Sequence, residues 1–301
     1  MKTRTFAILA FLAAFFPAAV SAATFSVLCD NSFELAAKAC TVKLSGRVET
    51  GDSDRLRSIL QTRLLDGWHY GALLLDSPGG NVNAAIEVAA LVRQALLNTT
   101  TYRLPKDAIS QSARGASTQI RWKCVSACFL IWVAGAERMA FSYTVLLGQS
   151  SDIGLHRPYL EKSAYDGPPE KVAGRQQQLM QATAEYLKQE QVPQALIEKM
   201  LQRASTQVYW LADEDPDITG RAPWFEEMMI ARCGYDPTYD RETSVWGSST
   251  TYESAKRQLA TGKKKLTPID LGPRYTKYLE WRQRYNACEY SARAAAQERL
   301  R

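Results

Sequence analysis

The first part of the chain alternates between short apolar runs and helical patterns. Residues 40–48 alternate apolar and polar positions and predict a strand. Residues 54–65 carry leucine and isoleucine at helical spacing, and residues 82–97 form an Ala-, Val- and Leu-rich stretch without a breaker, so both predict helices. Between them, residues 71–76 (GALLLD) are typical of a buried strand in a parallel sheet. This order predicts an α/β fold.

The second part of the chain continues the pattern and then changes character. Residues 125–134 predict a buried helix that begins near Ser126, and residues 144–155 predict one or two short strands. Helices are expected at residues 171–191, 192–204 and 274–301, whereas residues 98–122 show no clear period. We therefore expect an α/β domain over residues 24–222 and a helical, loop-rich C-terminal extension over residues 223–301.

The first 23 residues have the pattern of a secretory signal peptide. Lys2 and Arg4 precede an apolar run over residues 6–20, and small residues follow at positions 21–23. Cleavage after Ala22 or Ala23 fits equally well. The apolar run is shorter than the roughly 20 residues that a membrane-spanning helix needs, and no later stretch approaches that length. The mature chain is therefore expected to be periplasmic or secreted, with no stable membrane span.

The composition of the chain is typical of a globular protein and excludes few functions. The chain has 301 residues, of which 46% are hydrophobic and 23% are charged, and its formal net charge is +6. This charge is too small and too evenly spread to indicate nucleic-acid binding, so no nucleic-acid partner is expected.

Six cysteines remain after the signal, and in an exported protein cysteines tend to form disulfides. Six cysteines allow 15 connectivities. Proximity along the chain favours Cys29–Cys40 and Cys233–Cys288. Cys124 and Cys128, expected one helical turn apart, either pair or remain buried thiols. Only two histidines are present, His69 and His156, so neither a metal site nor a cofactor is expected; His69 is expected to be exposed.

Three separated segments carry candidate chemistry: Ser77-Pro-Gly-Gly80, the CVSAC segment around Ser126, and GLHRP around His156. A serine at a helix start lies near exposed backbone donors, and a neighbouring imidazole can take its proton. His156 follows a glycine-flanked strand that would bring it to the carboxyl end of the sheet, where ligand sites lie. Glycine at position 79 lets the backbone approach a substrate, so Gly79 and Ala127 are the candidate oxyanion donors.

These segments, in this order, resemble the proteolytic subunit of the Clp protease (ClpP) within the crotonase-like superfamily, over about residues 42–220. The C-x-S-A-C motif is similar to that of an exported bacterial periplasmic branch. The resemblance implies stacked ββα units with a parallel sheet flanked by helices. It also implies a serine peptidase with Ser126 as nucleophile and His156 as base, a peptide or protein substrate, and a possible homo-oligomer, since the superfamily tends to form trimers or stacked rings.

The resemblance also implies an aspartate about fifty residues after the histidine, but residues 201–207 contain no carboxylate. Several groups could orient His156 instead, with Asp213 weakly preferred: Asp152, Asp213, Glu214, Asp215, Ser205, Thr206 or a backbone carbonyl. A Ser-Lys dyad with Lys123 or Lys162 is a further variant. The alternative to an exported serine hydrolase is a catalytically inactive binding or assembly module whose C-terminal extension docks a partner. A coenzyme A-dependent crotonase is less expected, because that cofactor is not expected outside the cytosol.

Overall fold

The computed structural model describes residues 22–29, 39–62, 69–103, 120–121, 123–140, 152–212, 215–216, 218–238 and 273–301. The strands are β1 (Thr24–Leu28), β2 (Ala39–Ser45), β3 (His69–Asp76), β4 (Asn98–Thr100), β5 (Tyr102–Arg103), β6 (Ile120–Arg121), β7 (Cys124–Val125), β8 (Glu137–Met139), β9 (Ile153–Leu155), β10 (Tyr209–Trp210) and β11 (Gly220–Arg221). The helices are α1 (Asp52–Leu60), α2 (Val82–Gln94), α3 (Ala127–Val133), α4 (Pro169–Gln189), α5 (Gln194–Gln202), α6 (Pro223–Cys233) and α7 (Pro273–Glu298), with a 3-10 turn at Lys162–Tyr165. Most of the signal segment lies outside the described residues.

A six-stranded sheet in the order β1-β2-β3-β4-β8-β11 forms the main layer. Its four inner strands run parallel, whereas β1 and β11 pair antiparallel at the two edges. The apolar run of β3 is buried along almost its whole length, as a strand covered on both faces must be. The α/β class with a parallel sheet flanked by helices is therefore confirmed, and the antiparallel edges are an addition to what was predicted.

Six of the seven described helices match predicted ones with shifted ends, whereas α6 was not predicted. Helix α2 buries its Ala and Val face, and the Asn81 side chain caps it by accepting a hydrogen bond from the Ala84 N–H (3.0 Å). Helix α1 begins two residues earlier than predicted, because the buried Asp52 carboxylate accepts the Glu49 N–H (2.7 Å) and ties the preceding turn to the helix. Helix α3 begins directly after Ser126, as predicted.

A second, three-stranded sheet in the order β10-β9-β7 stands beside the main sheet. Strand β7 runs parallel to β9, with Val125 opposite Gly154. A parallel bridge between Ser77 and Cys124 joins β7 to the end of β3, through hydrogen bonds from the Ser77 N–H to the Lys123 carbonyl (2.8 Å) and from the Val125 N–H to the Ser77 carbonyl (3.0 Å). The three motif segments therefore lie side by side.

The C-terminal helices pack on the main sheet. The Gln297 side chain of α7 accepts the Tyr70 N–H (3.1 Å) and donates to the Tyr70 carbonyl (2.7 Å) on β3. Arg293, also on α7, donates to the Leu96 carbonyl and to the Asn98 side chain. The 24–222 and 223–301 division stays a prediction, but the buried face of α7 is occupied by the chain's own sheet. Of the helices that the structure describes, none is long and apolar enough to span a membrane.

All six cysteines form disulfides, in the pairs Cys29–Cys40, Cys124–Cys128 and Cys233–Cys288. The first and third pairs confirm the prediction. The expected helical spacing of Cys124 and Cys128 is wrong, because Cys124 lies on β7 and only Cys128 lies on α3. Three disulfides indicate an oxidising, extracytoplasmic compartment.

The expectation that His69 is exposed is also wrong. His69 begins β3 and is only 6% exposed. Its ring contacts Tyr290 of α7 edge-on, with the ring centroids 4.6 Å apart. The sequence around His69 is typical of an exposed segment, but α7, more than 200 residues later in the chain, covers His69.

Candidate active site

Ser126 occupies a strained turn between β7 and α3. Its backbone dihedral angles are φ 60° and ψ −125°, and non-glycine residues rarely adopt a positive φ. Such a conformation costs on the order of 1–3 kcal/mol and persists where the surrounding structure imposes it. Here the Ser126 N–H donates to the Gly154 carbonyl (2.9 Å), and the Cys124–Cys128 disulfide encloses the turn.

The hydroxyl of Ser126 has no structural task within the described part of the chain. Ser126 stands at the N-cap position of α3, but its side chain does not cap the helix. A sharp, strained strand-to-helix turn is the position of the nucleophilic serine in α/β-hydrolases. The Ser126 hydroxyl makes no hydrogen bond among the residues that the structure describes.

Gly79 packs directly against this turn. It has φ +99°, and a Cβ placed on it would lie 2.6 Å from Ser126 Cβ, 2.7 Å from the Val125 carbonyl oxygen and 3.0 Å from the Ala127 nitrogen. No larger residue fits without displacing the Ser126 turn. The structure thus brings Gly79, Ser126 and Ala127 together.

The N–H groups of this region are not equally free. The Gly79 N–H donates to Ser77 Oγ (3.1 Å), so this candidate oxyanion donor is engaged. Within the described residues, the N–H groups of Gly80 and Ala127 make no hydrogen bond. Ala127 is the first residue of α3, and the first N–H groups of a helix have no partner inside it. The donors that face no competitor are therefore those of Ala127 and Gly80.

His156 leaves β9 one residue after its end, as Ser126 leaves the neighbouring parallel strand β7. His156 is only 8% exposed. Its ring stacks on Tyr159, with the centroids 5.7 Å apart. The structure brings the two residues to the same end of adjacent strands, but it places no hydrogen bond between Ser126 and His156 among the residues it describes.

A backbone carbonyl orients the imidazole. His156 Nδ1 lies 2.9 Å from the carbonyl oxygen of Arg157. Because a carbonyl only accepts hydrogen bonds, Nδ1 is the donor in this contact, so in a neutral imidazole Nε2 would be the nitrogen that has the lone pair. This is the tautomer that a general base needs. Among the groups expected to orient His156, a backbone carbonyl is the one whose contact with the ring lies within the described residues.

The carboxylates proposed for this task are engaged elsewhere or lie outside the described residues. Asp215 accepts hydrogen bonds from Lys199, from the Tyr209 hydroxyl (2.8 Å) and from the Ala212 N–H (2.8 Å). Burial alone would raise the pKa of Asp215, but these hydrogen bonds outweigh it and hold the pKa below its ordinary value. Asp213, the weakly preferred residue, and Glu214 lie outside the described residues.

Three further candidates are Lys123, Asp152 and Lys162. The Lys123 ammonium lies over the Trp210 ring, 5.1 Å from its centroid, which does not support a dyad with Ser126. Asp152 is buried, and its backbone carbonyl accepts the Cys124 N–H (2.9 Å), a contact that leaves its carboxylate as a candidate. The Lys162 side chain is not described. Within the part of the chain that the structure describes, no group of three or more potential ligands is arranged to hold a metal ion.

Comparison with known proteins adds a distant likeness. No family model and no curated protein matches the sequence. The structure is similar to a mutant of the 1510-N membrane-bound stomatin-specific protease, with 13% sequence identity, covering 56% of this chain and 70% of that chain at a TM-score of 0.34. A likeness at this level carries no argument about activity, so function is argued from the site itself.

Several features of the site have no signal in the sequence. The contact of the Arg157 carbonyl with His156 could not be predicted from the sequence, because every residue has a backbone carbonyl. The contact of Ser77 Oγ with the Gly79 N–H and the stacking of Tyr159 on His156 depend on backbone geometry. Only the HRPY order, which places an arginine and a tyrosine within three residues of the histidine, could have drawn attention to this loop.

Proposed function

We propose that this protein is an exported serine hydrolase, and specifically a peptidase, with Ser126 as nucleophile and His156 as general base. The observation that carries the proposal is the Ser126 turn. A positive-φ serine with an unengaged hydroxyl is packed against a glycine and stands beside β9, which ends one residue before His156. Strained residues cluster at active sites. Three disulfides and the signal-like first segment support a periplasmic or secreted location.

The chemistry is acyl transfer. The Ser126 oxygen attacks the peptide carbonyl while His156 Nε2 takes the hydroxyl proton. The same nitrogen then gives this proton to the leaving amine as the carbon–nitrogen bond breaks. Water repeats the sequence on the acyl-enzyme, and the carboxylic acid leaves. The hydrogen bond between Ser126 and His156 forms on substrate binding, as catalytic hydrogen bonds in unliganded sites are often long.

The developing oxyanion needs backbone donors in a fixed place. We assign one to the Ala127 N–H and the other to the Gly79–Gly80 turn. The Gly79 N–H would first leave Ser77 Oγ, whereas the Gly80 N–H has no competitor among the described residues. Loss of one such donor typically lowers the rate by about a hundredfold or more.

A neutral carbonyl on His156 has a chemical consequence. It holds the tautomer as a carboxylate would, but it stabilises the imidazolium less, because it carries only a dipole. The enzyme is therefore expected to be slower than peptidases that have an aspartate in this position.

The direct test is labelling with a fluorophosphonate probe, followed by intact-mass analysis. Wild-type protein is expected to gain one adduct, Ser126→Ala none, and His156→Gln at least about a hundredfold less per unit time. Ser53→Ala is the matched control, because Ser53 is a helix-surface serine whose hydroxyl contacts Glu87. Equal labelling of wild type and Ser126→Ala would overturn the proposal.

The second candidate is a catalytically inactive binding or assembly module. Two observations favour it: His156 has a carbonyl in place of a carboxylate, and no hydrogen bond joins it to Ser126 within the described residues. Absence of labelling in folded wild-type protein would support it. The partner would have to bind away from the inner face of α7, because Gln297 and Arg293 already bind the sheet there.

A further inference from the structure

A pocket of about 470 Å³ adjoins the loop that follows His156. Arg157 and Tyr159 of this loop form one wall, and Tyr165 and the first turns of α4, including Pro169 and Gln176, form the opposite wall. The pocket is next to the candidate active site, because Tyr159, which lines the pocket, also stacks on the His156 imidazole. We call it the histidine pocket.

The histidine pocket has one charged wall residue among the described residues that line it, and this is Arg157. The Arg157 side chain is exposed and makes no ion pair or hydrogen bond within the described part of the chain. Neighbouring arginines differ. Arg175 donates to the carbonyls of Ala164 and Asp166 (both 2.7 Å), and Arg47 pairs with Glu49. The guanidinium at the pocket is therefore available to an incoming anion.

The rest of the lining suits an organic side chain rather than a small ion. Tyr159 and Tyr165 are 43% and 53% exposed, and their rings contribute apolar surface to the lining, although His156 stacks on the Tyr159 ring. The Gln176 amide is already engaged with backbone groups of Pro158 and Leu160 (2.7 and 3.2 Å), so it stiffens the wall and does not compete for the ligand. The volume lies within the range of pockets that hold organic ligands, roughly 300–1,000 Å³.

The wall bearing Tyr159 is itself held in place. Burial lowers the pKa of Arg47, but its interactions with Tyr159 and Glu49 outweigh burial, so the pKa is raised above its ordinary value. Glu161, two residues after Tyr159, lies 3.7 Å from Arg47 and hydrogen-bonds to Asn81 (3.3 Å). The loop is thus fastened to the residues that flank the Gly79–Gly80 turn.

We infer that the histidine pocket binds a carboxylate-bearing residue of a peptide, with Arg157 as the specificity-determining contact. An arginine fork matches a carboxylate in two parallel hydrogen bonds, and the tyrosine faces hold the aliphatic stem. The carboxylate belongs to an acidic side chain or to a free C-terminus. This inference rests on the proposed peptidase function, because the pocket adjoins the base of that site.

The test measures binding without catalysis, so that it can fail separately from the hydrolase proposal. Full-length mature protein carrying Ser126→Ala is titrated with fluorescent, amidated pentapeptides in which one glutamate is scanned through all positions of a glutamine peptide. A further peptide has only glutamine and a free C-terminus. Fluorescence anisotropy at low salt and at about 0.5 M salt gives the dissociation constants.

The peptide with glutamate at one of the positions is expected to bind about tenfold more tightly than the peptide with only glutamine. Salt should reduce this preference. Arg157→Gln should abolish the preference and Arg157→Lys should retain part of it. Lys171→Gln, which removes an equal charge from the exposed surface of α4 outside the pocket wall, should leave it intact. Preference for the free C-terminus alone would identify the terminal carboxylate as the ligand.

Carboxylate preference that survives Arg157→Gln, or no preference in any peptide, would overturn the inference. Preference that disappears with Arg157→Gln in a protein whose wild type takes no fluorophosphonate label would uphold the pocket and reject the hydrolase.

Discussion

Replacement of Gly79 by alanine tests whether the glycine is required for the Ser126 turn. An alanine Cβ at this position meets Ser126 Cβ at 2.6 Å and the Val125 carbonyl oxygen at 2.7 Å. Neither contact can be relieved by rotating a flexible side chain, because a carbonyl oxygen and a Cβ move only with the backbone. The strained turn must therefore shift.

Gly51→Ala is the matched control. Gly51 has φ +89°, close to the +99° of Gly79, but a Cβ there would have no atom within 4 Å. In both variants, alanine at a positive φ lowers the free energy of unfolding by about 1–2 kcal/mol. Alanine also restricts the unfolded chain, which raises the free energy of unfolding by about 0.4–1 kcal/mol. Gly51→Ala should therefore lose about 1 kcal/mol of unfolding free energy or less. Gly79→Ala should lose a further 1–3 kcal/mol or so from overpacking.

Urea unfolding followed by tryptophan fluorescence measures both variants, since the chain has 7 tryptophans. Fluorophosphonate labelling under conditions where each variant is folded supplies the functional arm. We expect Gly51→Ala to label like wild type and Gly79→Ala to label at least about a hundredfold more slowly, as for loss of an oxyanion donor. Equal losses of stability in the two variants, or normal labelling of Gly79→Ala, would refute the reasoning.

The disulfides and the partly buried carboxylate of Glu289 make two further predictions. Cys233→Ala/Cys288→Ala opens a cross-link with a sequence separation of 55 and should lower the free energy of unfolding in urea by about 4 kcal/mol. Cys124→Ala/Cys128→Ala opens one with a separation of 4 and should lower it by only about 2 kcal/mol. The reverse order would contradict the loop-closure argument. Burial raises the pKa of Glu289, but the nearby charges and hydrogen bonds outweigh burial and lower it. The stability that this carboxylate contributes is thus present above the unfolded pKa of about 4.3 and is lost as pH falls through the folded pKa. Glu289→Gln should therefore reduce the loss of unfolding free energy at acidic pH. An unchanged acid dependence of the unfolding free energy would reject this role.

The local pattern of the chain determined much of the architecture. Residues 71–76 were correctly predicted as a strand and residues 82–97 as a helix. A short continuous apolar run favours a buried strand, and an Ala- and Val-rich stretch without a breaker favours a helix that packs on the sheet. The disulfides Cys29–Cys40 and Cys233–Cys288 also followed from order along the chain. Helix α3 beginning after Ser126 was predictable, because an apolar run follows a small polar residue there.

Tertiary structure decided the features that make the site. The positive φ of Ser126 depends on contacts with Gly79 and Gly154, which are 47 and 28 positions away in the sequence. His69 is buried because α7 returns to cover β3, and the orientation of His156 comes from a backbone carbonyl that no side-chain pattern encodes. Patterns of polarity encode which face of an element is buried, whereas strain, register and the choice of hydrogen-bond partner arise only when distant segments pack together.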